Sequence, residues 1–207
     1  MIGERSLKPI QWLPCVLAAL LYLLISIPAA AQQAGTITGT IKARGVPHSG
    51  DVVVYVEEAK GEFSPQSEPL VIHVKKMNFI PRVLPVLVGS SIRFANSDMM
   101  QHHAMGIQKR KTVFDLPLPH GFSKPVVLGE LGPVAILDNQ HPEMSAYIVV
   151  LQNPFFAKTD DKGNYILENV PPGTYTLKAW HDRLKPESKE VKVSGGSKTR
   201  VDFELRR

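Results

Sequence analysis

The sequence predicts an all-β fold, arranged as a β-sandwich or a pair of them. After residue 31 no 3.6-residue apolar periodicity runs long enough to make a helix. Instead, runs of about four to eight β-branched and aromatic residues recur between clusters of Gly, Pro, Asn and Asp. The only cysteine, Cys15, stands in the first thirty residues, so the rest of the chain must be held by burial and strand pairing without disulfides.

The N-terminus reads as a secretory signal peptide over residues 1–31. Arg5 and Lys8 precede an apolar run from Trp12 to Ile27, and Pro28-Ala29-Ala30-Ala31 offers an A-x-A-like cleavage site before Gln32-Gln33. The run is also close to the length of a spanning helix, which leaves an uncleaved anchor as the alternative. Cys15 sits at the start of the run, a poor place for lipid attachment, and would leave with the peptide. What remains has no thiolate ligand and no cysteine nucleophile. The expected location is periplasmic or secreted, with no membrane contact after cleavage.

The net charge of +5 falls by one when Glu4, Arg5 and Lys8 are removed. Basic residues are scattered, with Lys109 to Lys111 and Arg206-Arg207 the only short runs, and no aromatic residues interleave them. A nucleic-acid partner is therefore not expected, and these residues read as solvated surface.

Taken in order, Thr36 to Lys42 alternates with Ile37, Gly39 and Ile41 on one face, a half-buried strand. Val52 to Val56 is continuous and reads as a strand covered on both sides. Gly61 to Glu68, with Pro65 and little apolar content, is a linker or turn. Strands follow at Leu70 to Val74, Val83 to Val88 and Ile92 to Ala95, the last two joined by the Gly89-Ser90-Ser91 turn. Further strands are expected at Thr112 to Leu116, Pro125 to Leu128, Val134 to Leu137 and Ala146 to Leu151. After Asn153-Pro154 the punctuation changes. The turn Thr159-Asp160-Asp161-Lys162-Gly163-Asn164 feeds Tyr165-Ile166-Leu167, and Pro171-Pro172-Gly173 precedes the alternating strand Tyr175 to Trp180. Val191 with Val193, and Val201 with Phe203 and Leu205, complete four short strands. Such a set has a thin core, and residues 35–60 have none of their own. The economical arrangement pairs residues 35–60 with 153–207 as one sandwich and inserts residues 65–152 between them. Two consecutive domains are the alternative.

One stretch carries chemistry. Asp138-Asn139-Gln140-His141-Pro142-Glu143-Met144 lies between two apolar runs, Pro133 to Leu137 and Ala146 to Leu151. A His and a Met three apart on a turn between strands, with a third residue three positions before the His, is how a small β-sandwich presents copper ligands. In the blue-copper pattern that third residue is Cys; here it is Asp138.

The middle block, residues 70–152, resembles the cupredoxin family and in particular the plastocyanin-like periplasmic proteins of the methylamine-utilisation type. Phe79-Ile80-Pro81, Val86-Leu87-Val88-Gly89-Ser90, Phe94-Ala95-Asn96-Ser97-Asp98 leading to His102, Phe114-Asp115-Leu116, and His141-Pro142-Glu143-Met144 running on to Val150 carry the resemblance, in the family's order. It implies a Greek-key sandwich. The flanking blocks resemble a carboxypeptidase-regulatory, or transthyretin-like, β-sandwich. Gly39-Thr40-Ile41, Val52-Val53-Val54, the Thr159 to Tyr165 turn and Val170-Pro171-Pro172-Gly173-Thr174-Tyr175 carry that likeness, which implies a fold and no chemistry.

The cupredoxin resemblance places the first imidazole ligand on His102, the thiolate position on Asp138, the second imidazole on His141 and the weak axial thioether on Met144. The position after the first ligand, commonly Asn in such proteins, is His103. A carboxylate oxygen is harder and less covalent than a thiolate. It favours Cu(II) over Cu(I), raises the reorganisation cost of electron transfer and removes the intense thiolate-to-copper absorption.

Three readings follow. In the first, His102, Asp138, His141 and Met144 hold Cu(II), or alternatively Zn(II), in a non-blue site. In the second, an accessory soft set of Met99, Met100, His103 and Met105 joins His102, His141 and Met144 in copper carriage. In the third, no metal binds and the sandwich is a structural or interaction module. Electron transfer is what family membership alone implies. Plainer roles exist for several of these residues: Met99 and Met100 as gap-filling core or partly exposed surface, Met144 as core, and His103 as a solvent-facing residue or a loop partner. His48, His73 and His120 are assigned no role, and His181 is placed at a sandwich interface. No enzyme is expected, since no Ser nucleophile pattern, phosphate-cradling Gly loop or catalytic carboxylate pair occurs. The expected partner is a periplasmic redox or copper-handling protein, with Lys109-Arg110-Lys111 as a docking patch in the sharper reading, and the expected oligomeric state is a monomer.

Overall fold

A computed structural model describes residues 33–121 and 123–207, and the expected signal peptide with Cys15 lies outside them. The described residues form seventeen β-strands. None of their segments is a helix long and apolar enough to cross a membrane.

The chain opens with β1 (Gly35–Ala43) and β2 (Val53–Val56). Nine strands follow: β3 (Leu70–Val74), β4 (Phe79–Ile80), β5 (Val83–Leu87), β6 (Ser91–Asn96), β7 (His102–Gln108), β8 (Lys111–Leu118), β9 (Ser123–Val127), β10 (Gly132–Asp138) and β11 (Ser145–Leu151). They make two sheets, ordered β4-β3-β6-β9 and β5-β11-β10-β7-β8. The chain changes sheet between β4 and β5, and β3 with β6 and β5 with β11 are parallel pairs. This is the strand order of a Greek-key, cupredoxin-like sandwich. Its core is Ile72, Phe94, Leu118, Ile136, Ile148 and their neighbours, with Phe94 packed against Phe79 and Phe114 at ring distances of 6.4 and 5.5 Å.

The last strands are β12 (Phe156–Lys158), β13 (Asn164–Val170), β14 (Gly173–His181), β15 (Leu184–Val193), β16 (Lys198–Arg200) and β17 (Phe203–Leu205). They join β1 and β2 in a second, transthyretin-like sandwich with sheets β13-β1-β16, where β17 also pairs with β1, and β12-β2-β14-β15. Ile37, Ile41, Val54, Leu167, Leu177 and Phe203 are among the residues filling it. β1 passes so close to the C-terminal segment that a Cβ on Gly39 would stand 1.7 Å from the Val201 carbonyl oxygen, so only glycine fits there. That carbonyl accepts the hydroxyl of buried Tyr165. Tyr165→Phe is expected to cost about 1 kcal/mol of stability, measured as a lower urea midpoint at unchanged slope.

Both sandwiches belong to one compact unit, Gln32–Arg207. The continuous apolar run of β2 has a direct physical account. Val54 and Val56 fill the transthyretin-like core, whereas Val53 points the other way and packs with Val83, Val149 and Leu151 of the cupredoxin-like sandwich, bordered by Tyr55, Tyr147, Phe156 and Trp180. Beside this patch the Arg82 guanidinium bridges Asp51 and Asp182, at 2.9 Å to the former and 3.0 Å to the latter.

Candidate metal centre

The site forms where two neighbouring strands end. β7 and β10 pair antiparallel with Asp138 opposite Ala104, which sets the start of β7 and the end of β10 side by side. Inward and outward positions alternate along β7: His102, Ala104 and Gly106 face the core, while His103, Met105 and Ile107 face away. The β10–β11 loop is closed by backbone bonds from Met144 N to the His141 carbonyl (2.9 Å) and from Asp138 N to the Met144 carbonyl (3.3 Å).

Asp138 uses its two oxygens differently. Oδ1 accepts the Gln140 amide at 2.9 Å and the His141 amide at 3.3 Å, an Asx-type turn that fixes the loop. Oδ2 faces His102 Nδ1 at 2.7 Å and His141 Nδ1 at 3.3 Å. One donor atom from each of His102, Asp138 and His141 lies within 4.8 Å of the others. The imidazole rings are 4.8 Å apart and tilted by 56°. The side chains of His102 and Asp138 are fully buried, and that of His141 is 22% exposed, so the cluster reaches solvent through the His141 edge. Burial is the largest influence on the Asp138 carboxyl and pushes its pKa up. The bonds from Gln140, His102 and His141 together outweigh it and hold the group below the usual carboxylate range.

His102 has a second carboxylate, Asp98, whose Oδ2 lies 3.2 Å from Nε2. Asp98 is itself anchored by the Lys76 and Met77 amides at 2.6 and 2.9 Å, and these two residues adopt positive φ to present them. Burial again pushes the Asp98 carboxyl up, and these amide bonds with His102 bring it below the ordinary value. Asn96 ties the 97–101 loop down by donating to the Met100 and Leu118 carbonyls, both at 2.8 Å, and accepting from the Asp98 amide. His120 Nδ1 bonds the Asp98 carbonyl at 2.7 Å.

The remaining candidate residues fall elsewhere. Met144 is 2% exposed and packs in the sandwich core directly after the cluster. Met99 and Met100 are 87% and 47% exposed on the loop before β7. His103 pairs with Asp115, and it and Met105 stand on the opposite face of β7 from His102. The structure therefore does not gather the accessory set, Met99, Met100, His103 and Met105, around the three-residue cluster: strand alternation turns His103 and Met105 to the other face, and Met99 and Met100 are exposed on the preceding loop. Asp98, Asn96 and His120 support the site in roles the sequence does not assign, although Asn96 and Asp98 stand in the stretch leading to His102 that carries the cupredoxin resemblance. Asp98 works through a loop that brings back a turn twenty residues earlier, and no periodicity encodes that. His181, 5% exposed, lies beside Asp182 at the contact between the sandwiches, where burial lowers its pKa.

Comparison with known proteins gives partial matches. The family described as a carboxypeptidase regulatory-like domain matches residues 137–206. No curated protein sequence matches the chain. Among solved structures, a copper-containing nitrite reductase from Thermus scotoductus SA-01 is similar at 24% identity over 47% of this chain and 25% of that one, with a TM-score of 0.39. This chain thus spans a quarter of the reductase's length. A purple cupredoxin from Nitrosopumilus maritimus matches at 22% identity over 39% of this chain and 98% of its own, TM-score 0.35. Amicyanin from Paracoccus versutus matches at 15% over 47% and 96%, TM-score 0.37.

Proposed function

We propose that this protein is an exported, non-enzymatic copper-binding protein of the cupredoxin type, in which His102, Asp138 and His141 hold Cu(II) in a non-blue site. The observation that carries the reading is the convergence of His102 Nδ1, Asp138 Oδ2 and His141 Nδ1 on one point at the partly open end of the sandwich. Two imidazole nitrogens and one carboxylate oxygen suit Cu(II), and Zn(II) as the alternative, better than Cu(I). Ligand distances near 2.0–2.2 Å require donors about 3.5 Å apart, so the His141–Asp138 separation of 3.3 Å nearly fits and the 2.7 Å His102–Asp138 contact must open to admit the ion. Bound copper would supply a Lewis-acidic, redox-capable centre at these three residues.

The protein's own part is orientation. Asp98 at Nε2 fixes the His102 ring and its tautomer, leaving Nδ1 for the site. Asp138 Oδ1, engaged by two amides, fixes the carboxylate so that Oδ2 alone faces inward. Metal loading must replace the 2.7 Å hydrogen bond between His102 Nδ1 and Asp138 Oδ2, and imidazole and carboxylate ligands bind metal only in their deprotonated forms, so binding is expected to weaken as pH falls. A carboxylate in place of a thiolate favours storage or delivery of copper over rapid electron exchange. The partner consistent with this reading is a periplasmic copper-handling or redox protein.

A second reading, a metal-free interaction module, also has a specific observation behind it: among the described residues no buried side-chain nitrogen or oxygen lacks a hydrogen-bond partner, the site residues included. Titration of the purified protein with Cu(II), followed by electron paramagnetic resonance, separates the two. Copper binding predicts one tight equivalent with nitrogen hyperfine structure, no intense blue band, and affinity at least tenfold weaker in His141→Ala. The metal-free reading predicts no binding above that variant.

A further inference from the structure

A cavity of about 680 Å³ opens where the two sandwiches meet. One wall is the β3–β4 turn with Lys75 and Lys76; the other is the β14–β15 turn with Arg183; Phe79 and Ile80 line it as well, Ile80 being 48% exposed. Both cationic walls are held in place. The Lys76 and Met77 amides are bound to the Asp98 carboxylate, and Asp182, next to Arg183, is held by two bonds from Arg82 at 3.0 and 3.1 Å.

The charges are unbalanced. Lys75 and Lys76 form no ion pair among the described residues. Arg183 has only a 3.5 Å contact with Asp182, which Arg82 already engages more closely. Arg82 also lines the cavity, but Asp51 and Asp182 answer its charge. The one carboxylate in the lining is Glu143, beside the Ser145 hydroxyl.

We propose that this cavity is a binding site for a small organic anion, with a phosphate or carboxylate head group held by Lys75, Lys76 and Arg183 and an apolar portion resting on Ile80. Lys75 and Lys76, which pair with no carboxylate among the described residues, and Arg183, which shares Asp182 with Arg82, face Glu143 alone and favour a negative ligand. Turns fixed on both sides reduce the ordering cost of binding it. The volume falls within the roughly 300–1,000 Å³ of small-molecule sites, which favour domain junctions. A guanidinium beside ammonium groups suits oxyanion recognition. Lys76 is separated from His102 only by the Asp98 carboxylate, so an occupant is expected to be felt at the candidate metal centre.

The test is an amide-resolved NMR titration of the purified protein with phenyl phosphate, phenylacetate and 2-phenylethanol, which share a ring and differ in head group. Saturable shifts centred on Lys75–Ile80, Ser145 and Arg183, and reaching through Asp98 to His102, are expected with at least one of the two anions, and none with the neutral alcohol. The stronger anion identifies the head group. Lys75→Gln combined with Arg183→Gln, both at exposed positions, is expected to weaken binding at least tenfold while leaving the rest of the spectrum unchanged. The proposal is overturned if neither anion saturates, if the alcohol binds as well as the anions, if shifts spread over distant surface lysines such as Lys162 and Lys192, or if the double variant binds like the parent.

Discussion

Arg82→Met is expected to destabilise the protein by about 2 kcal/mol at neutral pH, less than breaking a fully buried ion pair costs, because the Arg82 side chain is 32% exposed and water screens part of the loss. Arg82 leaves the cupredoxin-like sandwich and ends between Asp51 and Asp182, whose side chains are 18% and 3% exposed. Removing the guanidinium strands two carboxylates beside the apolar contact formed by Val53, Val83, Val149 and Leu151. Lys158, 3.2 Å from Asp51, compensates one of them in part. Combining Arg82→Met with Asp51→Asn and Asp182→Asn is expected to recover most of the loss, because no buried charge is then left alone. Recovery in the triple variant separates the cost of an orphaned charge from a cost of misfitting side-chain shape.

The same network has a pH signature. Burial, the largest influence, pushes the Asp51 and Asp182 carboxyls up, but their bonds to Arg82 outweigh it, and both lie below the ordinary value. Depressed carboxylates contribute stability in full above their unfolded pKa of about 3.9, and lose it as pH falls through the lower folded value. The gap between wild type and Arg82→Met in urea unfolding is therefore expected to be widest near neutrality and to shrink below about pH 4. A gap that stays constant through acid would place the effect of Arg82 in packing alone.

The elements differ in how openly the sequence declares them, and the reasons are physical. β1 and β14 alternate because each has one face in a core. The apolar run ending in β2 reads as doubly covered, and the covers turn out to be two different sandwiches. β15 is the opposite case: Lys185 to Glu190 is nearly all polar, and it is a strand because the β14 backbone pairs with it residue by residue, not because a face needs burial. Asp138 and His141 are legible because residue type and loop spacing mark them, and His102 because the cupredoxin resemblance places the first imidazole there. Asp98 is not, because its role depends on two backbone amides twenty residues earlier that only the folded chain brings back. The basic cavity is equally hidden, since Lys75 and Arg183 are more than a hundred residues apart and meet only across the junction.

With copper bound as proposed, Asp138→Cys is expected to turn a pale copper-loaded protein into an intensely coloured one. In the present chain the carboxylate oxygen between the two imidazoles is a hard donor, and Cu(II) held there would have no covalent thiolate to give a strong visible transition. A cysteine at the same end of β10 would point its sulfur between His102 and His141, with Met144 following in the loop, and so complete a two-imidazole, one-thiolate set. The substitution also has a cost. The Gln140 and His141 amides lose the Asp138 Oδ1 acceptor, and His102 loses its 2.7 Å partner, so the metal-free variant is expected to unfold at about 1–3 kcal/mol less than its parent. Copper binding to the folded form should return that stability by mass action, giving a metal-dependent midpoint. Strong absorption in copper-loaded Asp138→Cys, absent from wild type and from Asp138→Ala, would establish that residue 138 faces the metal. A colourless variant that folds and still binds one copper would show that the metal sits away from this residue, and that Asp138 serves only to hold the loop.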